Sequence, residues 1–396
     1  MLTKKVRFTN FYDKKNIKQI NNRLRNFKKI NFLKEYPFLI SYSKSYKYGY
    51  SKNYLSKLKR HKIFRIIAMG GSILGTEAIY QFLKKQIKKE FIFINNLNSK
   101  ILPQKKAVNL IISKSGETLE TISNTHIITN SSKSSKNLII TENKNSYLKN
   151  LAHKIKADVI EHKNYIGGRF SVLSEVGMLP AELMGLKESK FKKFNYLLKS
   201  KNFIKQLIFN VDSIIKLVNK NKNNSVVLNY DEKSENLFKW YQQLVGESLG
   251  KKSKGIIPII SSMPKDNHSL LQLYLDGPKK NFFTFFSVED AVSDKISSKL
   301  VLSQKSYLKN SKLSKIVSAQ RSATKNIFYK KKIPFRSFHI KKRDEESIGE
   351  LFSFFVLETI LLGRALKINP LDQPAVELIK VETKKYYLNF KKNIFD

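Results

Sequence analysis

Val108-Asn109-Leu110-Ile111-Ile112-Ser113-Lys114-Ser115-Gly116-Glu117-Thr118 joins a β-branched, apolar run to a cluster of hydroxyl residues around one glycine, with a helical pattern behind it. A strand that stops at hydroxyls as a helix opens aims backbone N–H groups and Ser/Thr oxygens at one point, the positive end of the helix dipole. Such a point suits a phosphate group. The same residues also fit a plain N-capped helix after a strand, with Ser113 or Ser115 as the cap, so the flanking sequence has to arbitrate.

On the N-terminal side, Phe64–Ala68 reads as a strand, followed by Gly70-Gly71-Ser72 and a helix through Glu77-Ala78-Ile79-Tyr80. Phe91–Ile94 and Asn137–Thr141 are further strands, and a helix from Glu117 to about Ile128 carries Leu119, Ile122, His126 and Ile127 at near-helical spacing. Strands alternating with helices predict an α/β fold with a doubly wound parallel sheet. Ligands bind such sheets at the carboxyl ends of the strands, where the turns at Gly70 and Ser113 fall. After a helical stretch at 188–220 the pattern restarts with strands at Ser225–Tyr230, Ile256–Ile260 and Phe282–Val288, and with Ser234 as a helix N-cap. A long apolar helix, Ile348–Ala365, and a last helix with Pro374 near its first turn end the chain. The expected division is an N-terminal extension of helices and loops wrapping a neighbour (1–55), a first sheet domain that binds phosphate (56–195), a helical connection (196–220), a second sheet domain (221–346), and C-terminal helices (347–396).

A chain of 396 residues can bury a full core. It has no cysteine, which excludes disulfides, zinc–thiolate sites and cysteine nucleophiles, and its six histidines include no metal-ligand pair, so no metal is expected. The basic N-terminus lacks the apolar core of a signal peptide, and Leu351–Leu362 is too short for a span and carries Glu358. The expectation is a cytoplasmic protein with no membrane partner. A net charge of +44 invites a nucleic-acid reading. Lys, however, far outnumbers Arg and is spread along the whole chain beside heavy Asn, Ile, Phe and Tyr usage, as an AT-rich coding sequence produces. The charge reads as a solvated surface with no specific nucleic-acid partner.

Within Glu235–Leu249, Leu237, Trp240, Tyr241, Leu244 and Ser248 form the buried stripe of a helix. Gln243 and Glu247 lie one turn apart on the neighbouring face, and Gly246 permits a close approach to the backbone. A carboxylate near the end of a half-buried helix has its pKa raised toward base work; the plain alternative is a helix-terminal Glu247 paired with Lys251. Gly167-Gly168-Arg169-Phe170-Ser171 presents an arginine suited to an oxyanion or phosphate, or merely a turn with a surface Arg. His268, in Asp266-Asn267-His268-Ser269, is a loop histidine free to shuttle protons or a satisfied loop residue. Lys380 lies on the last helix and, on so Lys-rich a chain, reads first as a surface lysine.

Taken together, Gly70–Gly75, Ser113–Thr121, Gly167–Pro180, Gln243–Lys251, the His268-Ser269 loop with the Leu-rich helix after it, and Asn369–Lys380 resemble the phosphoglucose isomerase family, built from two sugar-isomerase (SIS) sheets. The six segments recur in the family's order and cover most of residues 64–388. The resemblance implies two doubly wound parallel-sheet SIS-type domains in tandem. It implies reversible isomerisation of glucose 6-phosphate and fructose 6-phosphate through a cis-enediol, a step of glycolysis and gluconeogenesis, without a cofactor. Ser113, Ser115 and Thr118, with the backbone around Lys114, would hold the sugar phosphate, and Gly71 and Ser72 would line the sugar. Glu247 would be the base between C1 and C2, and Arg169 would stabilise the enediolate. His268, donated by the partner subunit of a homodimer, and Lys380 would open the ring, with Gln243 and Gln373 as substrate contacts.

The chemistry agrees with these roles, since aldose–ketose interconversion needs a base over two carbons, an acid–base pair for the ring and cationic help for the enediolate. Departures from the family pattern are Met69 before the glycines, Asn267 before the histidine, and Ala375 and Ile379 where glycines are usual. The chain also looks shorter than many members. Alternatives are a phosphoglucose/phosphomannose isomerase of relaxed specificity, and a non-catalytic sugar-phosphate-binding SIS regulator. A regulator has no use for Glu247, Arg169 and His268 together.

Overall fold

In the computed structural model, residues 2–11, 26–27, 29–97, 107–131, 136–289 and 293–395 are described. Among these residues ten strands form two five-stranded sheets. The first has the order β3-β2-β4-β5-β6, from β2 (Ile63–Ala68), β3 (Glu90–Ile94), β4 (Val108–Ile112), β5 (Lys136–Thr141) and β6 (Asp158–Glu161), all parallel. The second has the order β1-β10-β9-β7-β8, from β1 (Val6–Thr9), β7 (Asn224–Asn229), β8 (Ile257–Ser262), β9 (Asn281–Val288) and β10 (Phe335–Ile340). It is parallel except for β1, which lies antiparallel along β10. Helices of eight residues or more are α1 (Leu74–Leu83), α2 (Leu119–Ser131), α3 (Tyr147–Lys154), α4 (Glu175–Leu183), α5 (Lys201–Val218), α6 (Glu235–Leu249), α7 (Leu313–Lys330), α8 (Glu345–Leu366) and α9 (Pro374–Phe395). None of the described helices is long and apolar enough to cross a membrane.

The strands of parallel sheets are covered on both faces, so they read as continuous apolar runs. Every residue of β4 is buried, as is all of β2 after Ile63. Register decides the site: Ala68 pairs with Ile112, which brings the turn after β2 and the turn after β4 side by side at the carboxyl edge, one strand spacing apart. The two sheets meet where α1 packs on α6. Trp240 of α6 is buried edge-on against Phe352 of α8, ring centres 4.8 Å apart. Beneath β10, Arg336 forms a fully buried ion pair with Glu358 that Asn210 completes. Losing one partner of such a pair costs about 3–5 kcal/mol.

Three local expectations are corrected. The N-terminal stretch, expected as helices and loops, contributes β1, with Val6 and Phe8 inward and Arg7 and Thr9 outward. The helix after Ser113 begins at Leu119 rather than Glu117: Thr118 supplies the first carbonyl, accepting from Ile122 N–H at 2.9 Å. Ser234 stands at the N-cap position of α6 but donates its hydroxyl to Asp231, and Gln81 of α1 caps Asn236 N–H instead, at 2.8 Å.

Candidate active site

The turn after β2 is a single 3-10 turn, Gly70–Ser72, interlocked with a second one, Gly168–Leu173. A Cβ on Gly71 would fall 2.2 Å from the Gly168 carbonyl carbon and 2.5 Å from Arg169 N, so only glycine lets the two backbones touch. Ser171 Oγ donates to both turns, to Gly168 O at 2.7 Å and Gly71 O at 3.3 Å. Ser72 is buried beside this junction, and Gln243 of α6 lies against Gly70.

Arg169 projects from that junction and is 2 % exposed. A guanidinium offers five N–H donors in a fixed fork, and each has an acceptor here. Nε donates to Ser248 Oγ at 2.8 Å, Nη1 to Glu247 Oε2 at 3.1 Å and to Gln373 Oε1, and Nη2 to Pro370 O at 2.6 Å and Asp372 O at 3.2 Å. Burial pushes its pKa down, while the Glu247 charge pulls it back up. From its ordinary value an arginine stays charged under either influence. The reading of Arg169 as a surface residue of a turn is thereby set aside.

Glu247 sits in the last turn of α6, half-buried, with Oε1 accepting from Gln243 Nε2 at 2.9 Å and Oε2 from Arg169. The side-by-side spacing of residues 243 and 247 on one helix face makes that bond possible. The alternative pair with Lys251 does not form: Lys251 Nζ donates to Asn369 O at 2.5 Å and pairs with Asp372 Oδ1 at 2.7 Å, holding the Asp372 carboxyl below the usual range. Lys251 and Asp372 thus fasten the strap 369–373 over Arg169, a role their sequence context gives no sign of. Gly246 faces open space: apart from its own stretch of helix, no described atom lies within 4 Å of a Cβ built there.

One strand away, Ser113 is buried at the end of β4, its Oγ accepting from Gly116 N–H at 3.2 Å and sharing a 2.8 Å bond with Thr118 Oγ1. Gly116 has φ +71°, and a Cβ there would strike Ser146 Oγ at 2.3 Å, so the tight turn requires glycine. Ser115 Oγ accepts from Glu117 N–H at 3.2 Å. Lys114 turns its ammonium away, to Asn164 O at 2.8 Å and Glu142 at 3.5 Å, leaving its backbone at the turn. The result is a compact hydroxyl-and-amide corner in front of α2.

The structure therefore brings Arg169, Gln243, Glu247 and Gln373 into one hydrogen-bonded cluster, against Gly70–Ser72 and beside the Ser113–Thr118 corner. His268 and Lys380 are not part of that cluster within this chain. His268 is exposed at the end of the 3-10 turn Lys265–His268 after β8, a turn fixed by Asp266, which accepts from Ser262 N–H at 2.8 Å and Ser261 Oγ at 2.7 Å. Lys380 is exposed on α9 and pairs with Glu377 at 2.6 Å.

Residues 41–393 match the family model for phosphoglucose isomerase. A glucose-6-phosphate isomerase of Methanocaldococcus jannaschii is 32% identical over 79% of this chain and 81% of its own length. That of Mycoplasmopsis pulmonis is 30% identical over 92% of both. Among solved structures, a hypothetical protein from Thermus thermophilus superposes with a TM-score of 0.78 at 22% identity, over 93% of this chain and 94% of that one. A glucose-6-phosphate isomerase from Chlamydia trachomatis gives 0.69 at 18% identity, over 86% and 72%, a likeness of fold. With a family match over nearly its whole length and a mixed α/β fold of parallel sheets to go with it, this chain belongs to the phosphoglucose isomerase family.

Proposed function

We propose that the chain interconverts glucose 6-phosphate and fructose 6-phosphate by proton transfer through a cis-enediol, with Glu247 as the base. The observation that carries this is the placement of Glu247: a half-buried carboxylate held between Gln243 and the guanidinium of Arg169, next to the glycine turn and one strand from the hydroxyl corner. A substrate whose phosphate occupies the corner formed by Ser113, Ser115, Thr118 and the backbone of Lys114 lays its sugar along Gly71 and Ser72 toward that carboxylate. Glu247 then removes the proton from C1 of the open ketose as the C2 carbonyl oxygen gains one. The resulting enediol is reprotonated at C2 by the Glu247 carboxyl while the C1 hydroxyl gives up its proton to become the aldehyde. General base catalysis of this kind contributes about 10²–10⁴-fold. Arg169, desolvated, charged and with its N–H donors held by the protein, stabilises through its field the negative charge that develops on the enediol oxygens. Gln243 keeps the Glu247 carboxylate oriented, and Gln373 with its strap closes over the sugar. The reaction is redox-neutral and the proposal requires no cofactor.

Ring opening precedes this step and needs a separate acid–base pair. His268 and Lys380 are assigned to it, His268 acting in the site of the other subunit of a homodimer. Two features support a dimer: the exposure of His268, and the character of α9. Leu378, Ile379, Val381, Tyr386, Tyr387 and Phe390 are all more than half exposed along that helix, an apolar surface suited to burial against a second copy. A cytoplasmic location is part of this reading, since charged sugar phosphates are retained there.

Turnover of fructose 6-phosphate by the purified chain, with mannose 6-phosphate in parallel, tests the reaction; a folded dimer inactive on both refutes it, and mannose turnover favours the relaxed-specificity reading. Mixing Glu247→Gln with His268→Ala subunits tests the shared site. Only the mixed dimer holds one intact site, so activity returns to about a quarter of wild type after random reassortment. No recovery despite reassortment refutes donation of His268 across the interface.

A further inference from the structure

The turn that presents Arg169 is held from behind as carefully as the guanidinium is held in front. Phe170 stacks on Phe38 of the 3-10 segment Pro37–Tyr42, with ring centres 4.2 Å apart, and its carbonyl accepts from Tyr42 OH at 3.2 Å. Between the same two segments lies Lys192, from the link joining the short helices Glu188–Phe191 and Phe194–Lys199, and only 4 % exposed. Its ammonium donates to Ser41 O of the first segment and to Leu173 O, the last residue of the Arg169 turn. It also stands over the rings of Tyr46, at 5.3 Å, and Tyr48, at 5.0 Å.

No carboxylate pairs with Lys192 among the described residues. The three acidic side chains around it are engaged elsewhere: Glu175 accepts from Tyr46 OH and Gly49 N–H, Glu188 from Tyr48 OH, and Glu182 from Tyr50 OH. Burial pushes the ammonium down to about 7, with those carboxylates opposing. An apolar side chain of similar volume fills a buried site at less cost than a cation without an ion pair. What the cation adds is two directed bonds to backbone carbonyls on two different turns. Arg169, four residues before Leu173, has all five donors committed, so a shift of its turn is passed on to the guanidinium.

We infer that Lys192 is a positioning residue for the isomerisation, fixing the turn that aims Arg169 at the enediolate. This rests on the role given to Arg169 above. Positioning matters most for the transition state, where misplacement by an ångström costs up to about 100-fold. The probe is an aldonic acid phosphate of five carbons, whose carboxylate stands where the enediolate oxygens develop, compared with fructose 6-phosphate. Both affinities are measured by calorimetry on wild type, Lys192→Met and Lys192→Arg, after circular dichroism establishes that each is folded. Lys192→Met should weaken the aldonate phosphate by about tenfold or more while fructose 6-phosphate changes by less than about twofold. Lys192→Arg, which keeps the cation and its donors, should restore most of the loss. Should the Met variant not fold, Lys192→Gln, retaining one donor, is read by the same ratio. An unchanged ratio in a folded variant, or equal weakening of both ligands, overturns the inference. A wild type that binds both ligands but turns over neither sugar overturns the isomerase reading and leaves the Lys192 ratio to be judged on its own.

Discussion

Substituting Gly71 by alanine is the sharpest perturbation of the site that leaves every functional side chain chemically unchanged. The new methyl would lie 2.2 Å from the Gly168 carbonyl carbon and 2.5 Å from both Gly168 O and Arg169 N. Reaching ordinary van der Waals contact requires the two turns to part by about 1.2 Å, the difference between that distance and a normal approach of about 3.4 Å. Nothing flexible can absorb the shift, because the contact is backbone on backbone. The Arg169 turn is pinned through Trp240 Nε1 to Arg169 O at 3.2 Å, Tyr42 OH to Phe170 O, and Ser171 Oγ to Gly168 O. Overpacking of this kind costs about 1–3 kcal/mol of stability, and an ångström of displacement at the guanidinium costs up to about 100-fold in turnover. The assay is glucose 6-phosphate formation from fructose 6-phosphate, coupled to NADP reduction, beside a denaturant titration. A variant with kcat within threefold of wild type and unchanged stability would refute the interlocked-turn geometry.

Other substitutions probe different parts of the site and fold. Gly246→Ala adds a methyl where no described atom beyond its own stretch of helix lies within 4 Å, so helix propensity alone should raise stability by about 0.5–1 kcal/mol in a denaturant titration. A loss of substrate affinity alongside that gain would show that the open space takes the sugar, and a loss of stability would contradict the packing. Ser113→Ala removes the oxygen that ties Gly116 N–H to Thr118 and should raise KM by about tenfold with little change in kcat; an unchanged KM sets aside the phosphate corner. Glu350, buried in α8 and accepting from Thr3 Oγ1 at 2.6 Å, has its pKa pushed up to about 7 by burial, from 4.5. The folded chain binds that proton more tightly than the unfolded chain, so its stabilising effect is present below about pH 4.5 and is lost as pH rises through 7. Glu350→Gln should therefore gain roughly 2 kcal/mol more at pH 8 than at pH 5, and equal gains at both pH values would contradict the buried carboxyl.

The parts of the fold legible in the sequence are those whose signal is local. The run Val108–Ile112, apolar but for Asn109, is a strand at those bounds because a central parallel strand is covered on both faces, and Asn109 is accommodated by bonding Asn137 and Arg65. The helix Glu235–Leu249 has the expected ends because its stripe keeps a strict helical spacing. What stays hidden depends on partners far along the chain. Val6–Thr9 is four residues long and becomes a strand only because β10 offers an edge more than three hundred residues later. The same holds within the site. The choice between Glu247 as a residue paired with Lys251 and Glu247 as a partner of Arg169 is made by the strap 369–373, which occupies Lys251 and covers the guanidinium. No spacing within 235–251 contains that information. Lys192 is silent in the sequence for a related reason: among so many lysines, only tertiary burial distinguishes it.

The most direct test of the central claim follows the proton that Glu247 is proposed to carry. Fructose 6-phosphate is incubated in D2O with wild type and with Glu247→Gln, and deuterium at C2 of the glucose 6-phosphate formed is read by NMR. The enediol mechanism predicts solvent deuterium at C2 with wild type and, with the variant, loss of both exchange and turnover by at least about 100-fold while fructose 6-phosphate still binds. Exchange and turnover in Glu247→Gln at the wild-type rate would contradict the assignment of Glu247 as the base.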